Sequence, residues 1–166
     1  EKKHKDPLIN LEFFKIPSFV GGLSSLFLGQ LVIISTIFAA LYFQGPLNFT
    51  PIESGIALLP ITLPLMIFGP VNGYLSDHFG PRFSITLSQI IGIMSALWLA
   101  STLFTHNYWW LLPGYIMMGI YLSGVLSTST LASINSVISR KRSAAMGLLL
   151  SSRQLGSTLC IALMGL

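Results

Sequence analysis

The formal charge of this 166-residue chain rests on nine Lys or Arg and five Asp or Glu, so the few charged positions and their spacing carry most of the chemical information. Asp77 and Arg82 stand together in Gly73-Tyr74-Leu75-Ser76-Asp77-His78-Phe79-Gly80-Pro81-Arg82, a short polar segment wedged between two long apolar runs. An acid and a base so placed can pair with each other, meet the charged end of a helix, or hold a cation on a neighbouring body. Making and breaking such a contact shifts a conformational equilibrium without any covalent step. Gly73 and Gly80 permit close approach and a tight turn, and Pro81 stops a helix. A plain turn with a solvated acid and base is the alternative. Covalent chemistry has no candidates: no Ser/His/Asp set, His/Glu metal spacing or Gly-Asp pair occurs within the apolar runs. No enzyme, catalytic residue, metal site or cofactor is therefore expected. Cys160, the single cysteine, lies in an apolar segment and reads as a buried, inert thiol.

What must position these residues is a set of apolar spans. The chain is 52% hydrophobic and 8% charged, against about 25% charged in a soluble domain. So few charges cannot cover a water-facing surface, and lipid is the implied solvent. The net charge of +4 sits in short clusters between apolar runs, a pattern that orients membrane spans, and no nucleic-acid partner is expected. A bilayer core takes about 20 apolar residues per helix. The sequence predicts five such helices, over about 17–43, 52–76, 83–104, 110–138 and 143–166, hence an all-α membrane protein. A basic polar stretch, residues 1–16, precedes them as an amphipathic or irregular approach to the membrane. The first apolar run is too long for a signal-peptide core, and the start at Glu1 rather than Met makes an excerpt of a longer protein the expectation.

Within the spans, small and polar residues recur at helical spacing. Gly21, Ser25 and Gly29 in the first span, Ser84, Ser88 and Gly92 in the third, and Gly119, Ser123 and Ser127 in the fourth each place small side chains on one face, which favours close helix contact. Gln30 is mid-span and can hydrogen-bond a neighbouring helix or touch a substrate. Thr50-Pro51-Ile52-Glu53 has the form of a capping box with Pro at the first helical position, so Glu53 reads as structural rather than as a proton carrier. Pro60, Pro64 and Pro70 predict a kinked second span, tolerable where neighbouring helices satisfy the freed carbonyls. His106 falls in an expected interfacial aromatic belt and reads as solvated.

The fourth span is the most polar. Its hydroxyls either pack tightly or line a water-filled path, and Ser123, Ser127, Thr130 and Asn135 are the candidate cavity-lining residues. Arg153 lies eleven residues past Arg142, roughly 16 Å deeper at helical rise. An arginine at that depth is costly unless it faces protein, a partner acid or water, or snorkels to the surface, and a functional or conformational role is expected. Gln154, Gln44 and Gln30 join it as candidate intramembrane polar or interface positions. Because spans alternate sides, residues 1–16, 73–82 and 139–142 share a face that holds every Lys and Arg except Arg153, while 44–51 and 105–109 hold none. The positive-inside rule makes the basic face cytoplasmic.

The stretch from Gly73 to Arg82 resembles the signature loop of the major facilitator superfamily, Gly-x-Leu-x-Asp-x-x-Gly-x-Arg/Lys, which joins the second and third helices of each six-helix half; here it joins the second and third spans. Leu41-Tyr42-Phe43-Gln44, Gly55-Ile56-Ala57-Leu58-Leu59-Pro60, and Gly147 through Ser151-Ser152-Arg153-Gln154-Leu155-Gly156 extend the likeness over almost the whole chain. Together they are similar to the C-terminal half of the fourteen-helix drug:proton antiporters. The resemblance implies five helices of a six-helix half-bundle, with 17–166 a partial C-terminal half and 1–16 the linker before it. It implies a lipid bilayer, a missing N-terminal half and a final helix as partners, and a small amphipathic substrate. It further implies the proton gradient as energy source, a plasma-membrane setting (the bacterial inner membrane), and alternating access between two rocking halves. The first and fourth spans should then line the central cavity, the second and fifth face the other half, and the third face lipid. His78 stands where Arg is common in such loops, which weakens one cationic contact there. No acid lies mid-span, so a proton-carrying acid is expected in the absent half. A carrier for a sugar, organic acid or siderophore, and a non-transporting membrane scaffold, are the competing readings.

Overall fold

Prolines and polar caps set the helix boundaries. The computed structural model describes residues 11–105 and 107–164; the basic opening at 1–10 and His106 lie outside them. After a 3-10 turn at Leu11–Lys15 come α1 (Pro17–Gln44), α2 (Pro51–Ala57), α3 (Leu59–Phe79), α4 (Pro81–Thr102), α5 (Tyr108–Asn135) and α6 (Arg142–Met164). Pro17, Pro51 and Pro81 each open a helix, where a missing N–H leaves no bond unmade. The capping box at α2 is formed on both sides: Glu53 N donates to Thr50 Oγ1 at 3.3 Å, and Thr50 N donates to Glu53 Oε2 at 2.8 Å. Glu53 is thereby occupied in fixing a helix end.

The second span, expected as one kinked helix, is broken at Leu58 into α2 and α3. The break lies two residues before Pro60, whose ring would displace the Ile56 carbonyl in a continuous helix. Pro64 and Pro70 remain inside α3. Taking α2 and α3 as one span, five helices among the described residues are long and apolar enough to cross a membrane.

α5 is the hub: α1, α3 and α4 pack against it, whereas α6 is held mainly by α1. The approach to α3 and α4 depends on small residues. A Cβ on Gly119 would run into the Ile61 carbonyl, and one on Gly124 would overlap Ser88 Oγ. One apolar core gathers Phe43, Ile61, Tyr115, Tyr121 and Val125, with Phe43 edge-on to Tyr108 and Tyr115 at 5.8 and 5.7 Å. A second, nearer the basic end, gathers Phe19, Leu26, Val137, Ala145 and Leu149. Large apolar side chains also point outward, among them Ile90, Ile93, Met94 and Leu97 on α4 and Leu155, Leu159 and Leu163 on α6. Such faces suit lipid or another protein body, not water.

This packing predicts that Gly119→Ala, which must push against backbone, destabilises the protein by about 1–3 kcal/mol. Gly69→Ala, with nothing within 4 Å of the added carbon, is expected to be tolerated. Thermal unfolding of the two purified variants checks this; equal melting temperatures would contradict the close α3–α5 contact.

Candidate conformational site at the basic end

The chain between α3 and α4 turns on Gly80, whose φ of 85° and ψ of 155° fall where side-chain-bearing residues are strained. The turn brings the end of α3 and the start of α4 to one edge of a cavity of about 1110 Å³. Its walls come from three places: the start of α1 at Pro17, Ser18 and Gly21, the loop itself, and the end of α5 at Asn135 and Ser136. Gly73, Asp77, Gly80, Pro81, Arg82 and Asn135, all singled out from sequence, line this one cavity.

The charges here are set against their own helices. Asp77 occupies the last turn of α3 and Arg82 is the second residue of α4, whereas a helix favours cations at its C-terminal end and anions at its N-terminal end. Among the described residues no ion pair joins Asp77 to Arg82, and both are exposed. The α1 N-terminus beside them has no side-chain cap at Ile16. His78 stacks on Tyr74 one turn back, with ring centroids 4.3 Å apart and Tyr74 Oη 3.3 Å from His78 Nε2. The two motif glycines differ in role: Gly80 makes the turn, whereas nothing lies within 4 Å of a Cβ on Gly73, so no neighbour in this structure accounts for it.

Behind the loop runs a buried polar seam. Asn72 Nδ2 donates to Ser123 Oγ at 2.7 Å and to Phe68 O at 3.0 Å. Ser84 Oγ lies 3.3 Å from Thr128 Oγ1 and donates to Asn72 O at 3.5 Å, and Ser88 Oγ donates to Ser84 O at 2.8 Å. The seam joins α3, α4 and α5 directly under the loop. Asn72 went unnoticed in the sequence, although it is the one amide of the second span; its partner lies 51 residues away.

The remaining candidates separate. Ser123 is buried within the seam and not open to a cavity, because its hydroxyl satisfies Asn72. Ser127 and Thr130 are half-buried and donate to carbonyls of their own helix, Ser123 O at 2.6 Å and Leu126 O at 2.7 Å. Gln44 is the exposed last residue of α1; fourteen residues beyond Gln30, it stands about 21 Å further along the axis, so it does not join Gln30 and Arg153. Those two meet, Arg153 Nε donating to Gln30 Oε1 at 3.3 Å. Gln154 is exposed and accepts from Ser157 and Thr158.

Helices of this kind, knit around a central helix with a charged loop at one end, define a membrane-embedded bundle. The family model of the Major Facilitator Superfamily matches residues 1–160, and the chain belongs to that family. With five helices able to span a bilayer, it is an integral membrane protein. It is similar to the lincomycin resistance protein LmrB of Bacillus subtilis, 35% identical over 58% of the chain and 20% of that protein. It is also similar to the tetracenomycin C resistance and export protein of Streptomyces glaucescens, 26% identical over 99% of the chain and 31% of the relative. The methylenomycin A resistance protein of Streptomyces coelicolor is 28% identical over 99% of the chain and 35% of the relative. The chain thus spans about a fifth to a third of the length of these relatives.

The geometry predicts that Gly80→Ala costs about 1–3 kcal/mol through backbone strain, while Gly73→Ala is neutral or slightly stabilising in its helix. Thermal unfolding of both purified variants is the check, and a Gly73 variant as costly as the Gly80 variant would contradict this division.

Proposed function

We propose that this chain is part of a non-enzymatic, proton-coupled exporter of drugs or other small amphipathic molecules, acting by alternating access in the plasma membrane. Residues 17–166 serve as most of one helical half and 1–16 as the linker before it. A sixth helix and a second half complete the carrier. The loop at 73–82, with residues 1–16 and 139–142, faces the cytoplasm, as its concentration of cations supports. The observation that carries the mechanism is the placement of Asp77 and Arg82 against the dipoles of their own helices, with no ion pair among the described residues, at the mouth of an open cavity. Charges that burden the helices bearing them suit a contact with a body outside the chain, made in one state of the cycle and released in the other. The polar seam beneath them lets α3, α4 and α5 carry that contact as one unit. The resistance and export activities named for the relatives support the substrate class. The proton-carrying acid lies in the second half, since none occurs in mid-span here.

Expressed at full length in a bacterium stripped of its own efflux pumps, the protein is expected to exclude a lipophilic cationic dye until a protonophore is added. Asp77→Asn should weaken export about fivefold, the effect of losing a contact of roughly 1 kcal/mol. Unchanged dye levels in cells with good membrane expression would overturn the exporter reading and favour a carrier of a specific metabolite.

A further inference from the structure

Another charge lies midway along α6, away from the cavity at the basic end. α6 runs along α1 through the buried residues Leu149, Ser152, Gly156 and Cys160. The approach is close: Cys160 Sγ donates to Leu31 O at 3.3 Å, and a Cβ on Gly156 would stand 2.8 Å from Phe27 O. At the edge of this seam Arg153, half-buried, donates from Nε to Oε1 of half-buried Gln30. An arginine has five N–H donors. The other four of Arg153 have no partner among the described residues. With Nε engaged, the free edge is the pair of Nη atoms, the edge on which a carboxylate forms two parallel hydrogen bonds.

Among the described residues no anion is at hand to meet it. α1 and α5, the helices against which α6 packs, carry no Asp, Glu, Lys, Arg or His; their titratable side chains are Tyr42, Tyr108, Tyr115 and Tyr121. α6 and the turn before it add Arg140, Lys141, Arg142 and Cys160, and Glu53 and Asp77 stand at opposite ends of the second span. A guanidinium at membrane depth is stable only against water, a carbonyl or an anion. We propose that Arg153, oriented by Gln30, is a carboxylate seat: its free edge takes a carboxylate from outside the described residues, supplied by an acidic side chain elsewhere in the carrier or by the transported molecule. This rests on the carrier reading above, and the seat is tested without relying on transport.

Thermal unfolding of the full-length protein in lipid nanodiscs would be followed between acid and neutral pH for wild type, Arg153→Gln, Arg153→Lys and Gln30→Leu, with benzoate or its neutral counterpart benzamide. An acidic side chain in the seat makes the wild type melt about 2 °C or more above Arg153→Gln at neutral pH. A carboxylate paired with arginine has a lowered pKa when folded, so this gap is present above the ordinary carboxylate value near 4 and closes as pH falls through the lowered one. A carboxylate of the transported molecule instead makes benzoate, but not benzamide, raise the melting temperature of the wild type and not of Arg153→Gln. In either case Arg153→Lys, which keeps charge without the fork, falls between, and Gln30→Leu weakens the response without abolishing it. If Arg153→Gln does not fold, Arg153→Lys against wild type carries the same comparison. Wild type and variant melting alike at every pH, with benzoate and benzamide equivalent, would overturn the seat and leave the arginine merely hydrated. Failed dye export would count against the carrier reading alone, leaving these differences in melting intact.

Discussion

The closeness of α5 to its neighbours is the constraint on which the rest of the structure depends. In lipid, helices gain little from hiding apolar surface, since the solvent is as apolar as leucine; van der Waals packing and interhelical hydrogen bonds must hold them. Both require backbones to approach closely. Gly119 lets α5 rest on the Ile61 carbonyl of α3, and Gly124 makes room for Ser88 of α4. That proximity in turn brings Asn72 within 2.7 Å of Ser123 and Ser84 within 3.3 Å of Thr128. A wider bundle would leave those groups unsatisfied at membrane depth, where each would cost free energy.

Polar residues in this chain therefore fall into two kinds. Those of the seam are consumed within the bundle and lock α3, α4 and α5 together. Asp77, Arg82 and Arg153 are not so consumed: the first two oppose their own helix dipoles beside an open cavity, and the third has a single hydrogen bond among the described residues. Satisfied groups give the unit its rigidity, and open ones are the means by which a rigid unit can act on, or be acted on by, something outside it. α6, attached chiefly along α1 and carrying Arg153 on that attachment, sits between the two roles.

Much of this was legible in the sequence because lipid simplifies the code. Long apolar runs announced the spans, and a Thr-Pro-Ile-Glu stretch announced a cap that is formed atom for atom. The Gly73–Arg82 loop announced itself by charge and turn chemistry, since both are local. What depended on tertiary contact was less accessible. Three prolines in the second span marked a distortion without saying that the chain parts at Leu58 while Pro64 and Pro70 stay helical. Serines every fourth residue of the fourth span fit packing and a wet path equally well; Ser123 turned to packing because Asn72, 51 residues away, needed a partner. Gln30 and Arg153 were each marked, but their pairing crosses 123 residues and could be read only from the folded chain.

The claim that α3, α4 and α5 act as one body is tested most directly by distances between spin labels in the full-length protein. Labels would be placed at the exposed positions Phe79 of α3 and Leu131 of α5 after Cys160→Ser, with a further label on the second half proposed above. Between conditions favouring the proposed inward-open and outward-open states, the distance from residue 79 to residue 131 is predicted to stay constant while the distance to the outer label changes. A change within the pair as large as the change to the outer label would contradict the account.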